Sequence, residues 1–354
     1  MKGMKGCLWL LGLFLPFSLA IVKQASAVPD LQQWTDTYIA SLPPANHFRG
    51  SILVARDGNI LLRKSYGFAD ESWRVPNVPE GKFEIASVSK QFTAVAILQL
   101  AEAGKLAVTD RVSRFYPRAP QSWKNITIAE LLSHTSGIPN NSRKDFPRGL
   151  DTPLTQEELL QTFANRPLAF APGTRWAYTN TEYYLLAYII EKLSGESYAA
   201  YLDQHIFKPL GMQNSGFVST RAVLANIAIG YTRQNGQLLL REPFDRSLET
   251  GAGGIYSTLD DLYRWNQALD HPGFLQANSL QVMFRVHPPG NYGFGWFIDE
   301  RPVRREYHEG GDPGFAAFEA RYPQQRVLII ILANEDDAPV REIAASVARR
   351  LGLP

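Results

Sequence analysis

Cysteine is nearly absent from this 354-residue chain, and the one present, Cys7, sits in an apolar N-terminal stretch. Disulfide bonding is excluded, and so is a thiolate nucleophile in the body of the protein. An excess of either charge is also missing: 36 Lys and Arg face 34 Asp and Glu, for a net +2. With no basic run and no aromatic stripe, nothing calls for nucleic acid or another polyanion as partner. No Gly-x-Ser-x-Gly occurs, which removes the nucleophile elbow of the α/β-hydrolases. Glycine-rich phosphate loops and dinucleotide fingerprints are lacking too, and no cofactor is implied. His308-Glu309-Gly310-Gly311-Asp312 invites a zinc reading, but it lacks the second histidine and its glycines oppose the helix such a site needs, so no metal is expected. Internal repeats and low-complexity segments are not found.

What remains is ordinary globular composition, 45% hydrophobic and 20% charged, long enough for one large core or two joined domains. Residues 1–27 read as an export signal: Lys2 and Lys5, an apolar run from Cys7 to Val22, then Ala25-Ser26-Ala27, a small-residue cleavage site. An uncleaved membrane anchor is the competing reading, against which the run is shorter than the roughly 20 residues a spanning helix wants. A chain exported to the periplasm or the medium, with no membrane span after cleavage, is therefore expected.

The body, 28–354, reads as an antiparallel sheet flanked by helices with a largely helical part inserted in sequence, an α/β chain of the α+β kind. Gly50 to Ala55 and Ile60 to Leu62 flank Asp57-Gly58, a strong hairpin signal. Helical spacing of apolar residues marks Gln91 to Ala103, Ile128 to Ser133, Thr155 to Asn165, Glu182 to Leu193 and Tyr198 to Phe207, and a capped start follows at Ser257-Thr258. Short β-branched and aromatic runs then return at Tyr292 to Ile298, Arg304 to Gly310, Gly314 to Tyr322 and Val327 to Ala333, before a closing helix from Pro339 to Leu351. Strands at both chain ends imply one sheet, built from about 28–82 and 285–354, with the helical part at about 83–284.

Three elements carry chemistry. Ser87-Val88-Ser89-Lys90 is the only Ser-x-x-Lys, and in a helix residues three apart are neighbours, so the amine can activate the hydroxyl. The competing reading is a capping serine with a solvated lysine one turn later. Tyr178-Thr179-Asn180, the only Tyr-x-Asn, lies in a loop before a helix. Tyr178 can relay a proton, and Asn180 can orient Lys90 and donate to a substrate carbonyl; a loop aromatic and a helix cap are the alternative. His308-Glu309-Gly310-Gly311 ends a strand in paired glycines, and the N–H groups of Ser87 and Gly311 would form an oxyanion hole. His271 also fits His-x-Gly, but Pro272 keeps it out of a strand. His134 is assigned a structural role, satisfying backbone groups in a helix-ending loop.

In this order the elements resemble the serine β-lactamase and penicillin-binding-protein superfamily, in the branch of class C β-lactamases, D-alanyl-D-alanine carboxypeptidases, D-aminopeptidases and related esterases. Phe83 to Ser87, Leu131 to Pro139, Pro209 to Met212 and Gly253 to Ser257 strengthen the resemblance, which spans essentially all of 28–354. It implies Ser87 as acylated nucleophile, Lys90 and Tyr178 as proton-transfer groups, Asn180, His308, Glu309 and Gly310 around the substrate, and Gly311 as second oxyanion donor. It also implies two-step acyl transfer on small esters, amides or D-amino-acid peptides, with a catalytically silent sensor or assembly module as the alternative. One departure matters. Drug-hydrolysing relatives carry Lys-Thr-Gly where His308-Glu309-Gly310 stands here, and a Glu309 carboxylate facing the cleft would repel the carboxylate of a penicillin.

Overall fold

The computed structural model describes residues 31–43, 47–140, 149–218 and 222–354; the expected export signal lies outside the described residues. Asp57 and Gly58 take φ of 54° and 74°, the left-handed pair that a two-residue hairpin turn demands. They join Gly50–Arg56 to Asn59–Tyr66. This hairpin completes a six-stranded sheet with the spatial order Phe297–Asp299, Arg305–Asp312, Phe315–Tyr322, Val327–Ala333, Gly50–Arg56, Asn59–Tyr66. All neighbours are antiparallel, and Gly50 pairs with Ala333 while Arg56 pairs with Val327, so the first strand lies beside the last.

Every residue of Phe315–Tyr322 and of Val327–Ala333 is buried, because both faces of the sheet are covered. One face carries the C-terminal helix Val340–Arg350, whose Val340, Ile343, Ala344, Val347 and Ala348 form the inward stripe. The other carries Leu259–Leu269 and, behind it, the helical part. At the centre of that part Lys90–Glu102 is buried on nearly all sides, with Phe92 stacked on Trp265 at 4.2 Å. A helix enclosed in this way shows little amphipathicity in sequence.

Boundaries moved by a residue or two where caps decide them. Thr155 closes a capping box with Glu158 and so stands outside Gln156–Ala164, while Thr258 caps Leu259–Leu269 within the expected capped start. The stretch read as a strand from Tyr292 shrinks to Phe297–Asp299. The helical reading of the middle missed the ribbon Phe83–Glu84, Ile255–Ser257 and Gly216–Phe217 and the hairpin Tyr231–Gln234 with Gln237–Leu240. Two- and four-residue strands are too short for alternation to register. Among the described residues no helix is long and apolar enough to cross a membrane.

Candidate active site

The ribbon matters because it leads directly into the Ser87 turn. Phe83–Glu84 pairs with Ile255–Ser257, and from there the chain turns through Ala86–Ser89, a single 3-10 turn, into Lys90–Glu102. Ser87 thus stands in the turn before the helix, while Ala86 is held at φ 46°, a conformation costing a non-glycine residue about 1 kcal/mol or more. The turn is fixed from below: Ile85 N–H donates to Ile255 O at 2.9 Å, and Ile255 N–H donates to Ser89 Oγ at 3.3 Å.

Lys90 is completely buried. Its Nζ lies 3.1 Å from Ser87 Oγ, 2.8 Å from Asn180 Oδ1 and 2.8 Å from Ala252 O. Burial lowers its pKa from the ordinary 10.5 to about 7, against the opposing pull of Glu249, Asp312 and Glu182. A neutral amine has two N–H bonds and one lone pair. Asn180 Oδ1 and Ala252 O can only accept, so they take both hydrogens and the lone pair is left for the Ser87 hydroxyl.

Tyr178 lies alongside, with Lys90 Nζ 4.8 Å from its ring centre. Its hydroxyl is buried without a hydrogen-bond partner among the described residues. Burial raises its pKa well above the ordinary tyrosine value, and the adjacent Ser87 hydroxyl pulls the other way. The phenol therefore stays protonated at neutral pH, which makes Lys90 the stronger candidate base. Asn180 opens the helix Asn180–Ser194 behind the cap Thr179, so the helix start itself aims its amide at Lys90.

The strand Arg305–Asp312 closes the site from the sheet side. Gly310 is required by the protein's own backbone: a Cβ there would lie 2.2 Å from Ile85 O and 3.1 Å from Ala86 Cβ. Its expected place against the substrate is corrected to a packing position under the nucleophile turn. At Gly311, one residue on, an added Cβ would meet nothing within 4 Å, so it borders open space.

Two further expectations change. Alternation puts His308 and Glu309 on opposite faces, and Glu309 forms an ion pair with Arg341 of the C-terminal helix. Its carboxylate turns away from the site, and the repulsion argument built on it falls. His308 is buried; its Nδ1 lies 2.6 Å from Glu309 O and its Nε2 2.8 Å from the Tyr292 hydroxyl. Because the carbonyl only accepts, Nδ1 carries the hydrogen and Nε2 accepts from Tyr292. Burial holds its pKa well below that of an ordinary imidazole, assisted by the charge of Lys90. With both nitrogens used, His308 connects strand to core and offers the substrate no charge.

Several contributors carry no sequence signal as short as a motif. Ala252 acts through its carbonyl, which any residue possesses. Arg246, fully buried, gathers Glu84, Glu249 and Asp312, three carboxylates spread over more than two hundred residues. Burial raises Asp312, and the neighbouring Glu249 charge adds to it. This cluster sits beneath the nucleophile turn and supplies two of the negative charges felt by Lys90.

A serine hydroxyl, a buried amine with its lone pair free, a phenol and an amide meet from two chain segments, 87–90 and 178–180, an arrangement chemically able to carry out acyl transfer. The sequence profile of the Beta-lactamase family matches residues 36–353, and the chain belongs to that family, the serine hydrolases that include the penicillin-binding proteins. Penicillin-binding protein 4* of Bacillus subtilis is 33% identical over 324 residues, covering 85% of this chain and 71% of that protein. The penicillin binding protein structure from Bacillus halodurans superposes with a TM-score of 0.80 at 27% identity, covering 90% of this chain and 98% of that one. D-amino acid amidase from Ochrobactrum anthropi shares the fold, with a TM-score of 0.80 at 22% identity over 91% of this chain and 98% of its own.

Proposed function

We propose that the protein is an exported serine hydrolase that works through a Ser87 acyl-enzyme on small ester, amide or D-amino-acid peptide substrates. The observation that carries the reading is the coordination of Lys90: two carbonyl acceptors hold its hydrogens and direct its lone pair at Ser87. Lys90 takes the Ser87 proton as the hydroxyl attacks the carbonyl carbon. Tyr178, still protonated, can pass its hydrogen to the departing group and recover one from Lys90. The N–H groups of Ser87 and Gly311 would receive the oxyanion. Water then releases the acyl group by the same steps in reverse order.

Substrate preference has a new basis once Glu309 is set aside. A cavity of about 430 Å³ beside Gly311 is lined by Asp312, Glu242, Asp336 and Asp337 among others, and His308 brings no positive charge. Acidic flanks favour neutral or amine-bearing substrates over carboxylate-bearing ones. The export-signal pattern expected at residues 1–27 is what places its action outside the cytoplasm in this reading.

Intact-mass measurement after a fluorophosphonate probe tests the reading. Addition to the wild type and not to Ser87→Ala supports it, whereas an unlabelled wild type points to the silent-module alternative. A panel of p-nitrophenyl esters, nitrocefin and D-alanyl peptides then ranks the substrate classes.

A further inference from the structure

One buried ionisable pair beside the site is not used by the mechanism above. His134 Nδ1 lies 2.5 Å from Glu182 Oε2, and both side chains are wholly buried. The other carboxylate oxygen, Glu182 Oε1, accepts from Ser136 Oγ at 2.5 Å and from Ser136 N–H at 3.2 Å. Glu182 belongs to the first turn of Asn180–Ser194, the turn that begins with the amide on Lys90. His134 and Ser136 belong to the loop that follows Ile128–Leu132.

The same loop grips that helix start repeatedly. Ala177 N–H donates to His134 O at 3.0 Å, Asn180 N–H to Asn140 Oδ1 at 2.8 Å, Thr181 Oγ1 to Pro139 O at 3.1 Å and Tyr183 Oη to Leu132 O at 2.9 Å. The imidazole of His134 also packs on the aromatic groups of both flanking arms, with ring centres 4.4 Å from Tyr178 and 4.7 Å from Tyr292. Tyr292 is the residue that holds His308. A single side chain therefore touches the Tyr178 arm and the support of the strand arm, while its partner anchors Asn180.

We infer that His134 and Glu182 are a positioning pair for acyl transfer: their mutual hydrogen bond locks the first turn of Asn180–Ser194 so that Tyr178 and Asn180 stay in register with Lys90. The inference rests on the hydrolase reading of the site. Burial resists charge on either partner, raising Glu182 and lowering His134. The groups facing it are Lys90, Tyr178, Tyr183, Tyr292, His308 and Glu130. Glu182→Gln preserves an acceptor for Ser136 and a donor for His134 Nδ1, with the ring hydrogen on Nε2.

The test is a comparison of Glu182→Ala, His134→Ala, their double variant and Glu182→Gln, each checked for native circular dichroism. For Glu182→Ala and His134→Ala the fluorophosphonate labelling rate and ester kcat should fall on the order of a hundredfold, as expected for a displacement of about 1 Å, with KM changing by less than about threefold. The double variant should be no slower than the worse single variant, the signature of a coupled pair. Glu182→Gln should label within about threefold of wild type. Wild-type rates in a folded alanine variant, additive losses, or a Glu182→Gln as slow as Glu182→Ala would each overturn the inference. If the alanine variants do not fold, Glu182→Gln decides it alone. Hydrogen exchange over 177–181 separates this failure from that of the hydrolase reading: even if the wild type resists the probe, these amides should be protected in the wild type and Glu182→Gln and open in Glu182→Ala.

Discussion

Replacing Lys90 with methionine separates the cost of the buried amine from its use. An amine moved from its ordinary 10.5 to about 7 by burial is proton-poor in the folded state over a range where the unfolded chain still binds the proton. With the folded pKa below the unfolded one, unfolding takes up a proton between the two, and stability rises with pH across that window. Each pH unit well above 7 adds up to about 1.4 kcal/mol. Between pH 7 and 9 the gain is about 2 kcal/mol, because Lys90 is still half protonated at the start. Lys90→Met lacks the group, and other titrations largely cancel in the comparison. The assay is urea unfolding of both proteins at pH 7, 8 and 9. The wild type should gain about 2 kcal/mol on the variant over this span. The same residue should give kcat/KM an acid limb with its midpoint near pH 7, and Lys90→Met should lose 10²- to 10⁴-fold in labelling, about the worth of a general base. Parallel stability curves together with a flat rate between pH 5.5 and 8.5, a range of about 1.5 units either side of the midpoint, would refute the argument.

Other expectations follow from neighbouring contacts. Glu249→Gln removes the largest charge that favours protonated Lys90, so the acid limb of kcat/KM should move to lower pH; an unmoved limb would show that Glu249 does not act on the amine. Gly310→Ala must push Ile85 O aside from 2.2 Å and should cost more than about 2 kcal/mol and most of the labelling, whereas Gly311→Ala, with open space around it, should cost less than about 1 kcal/mol by thermal denaturation. Glu309→Thr should leave nitrocefin acylation within about threefold, since its carboxylate pairs with Arg341 on the far face; a large gain would mean that Glu309 reaches the cleft.

The sheet and the principal helices were legible because their signals are long. Val327–Ala333 is uninterrupted and apolar, Asp57-Gly58 dictates its turn, and the stripe of Val340–Arg350 repeats over three turns. The meeting of Ser87, Lys90, Tyr178 and Asn180 was legible because each makes its contact through its side chain at a fixed spacing. The rest acts through groups that sequence does not distinguish. Ala252 supplies a carbonyl, Gly310 supplies the absence of a Cβ, and Arg246 gathers carboxylates remote in the chain. Glu182 near a helix start reads as a favourable surface charge, although it is buried against His134. His308 and Glu309 show the limit of a motif read as a unit, since neighbours on a strand face opposite ways.

Gly310 lies against Ile85, so the reactive turn is braced by chain that is synthesised more than two hundred residues after it. Until the strand Arg305–Asp312 has docked, the turn that holds Ser87 has no floor beneath it. A nascent or truncated polypeptide therefore carries a chemically ordinary serine. Under the function proposed above, covalent capture at this position would count finished molecules.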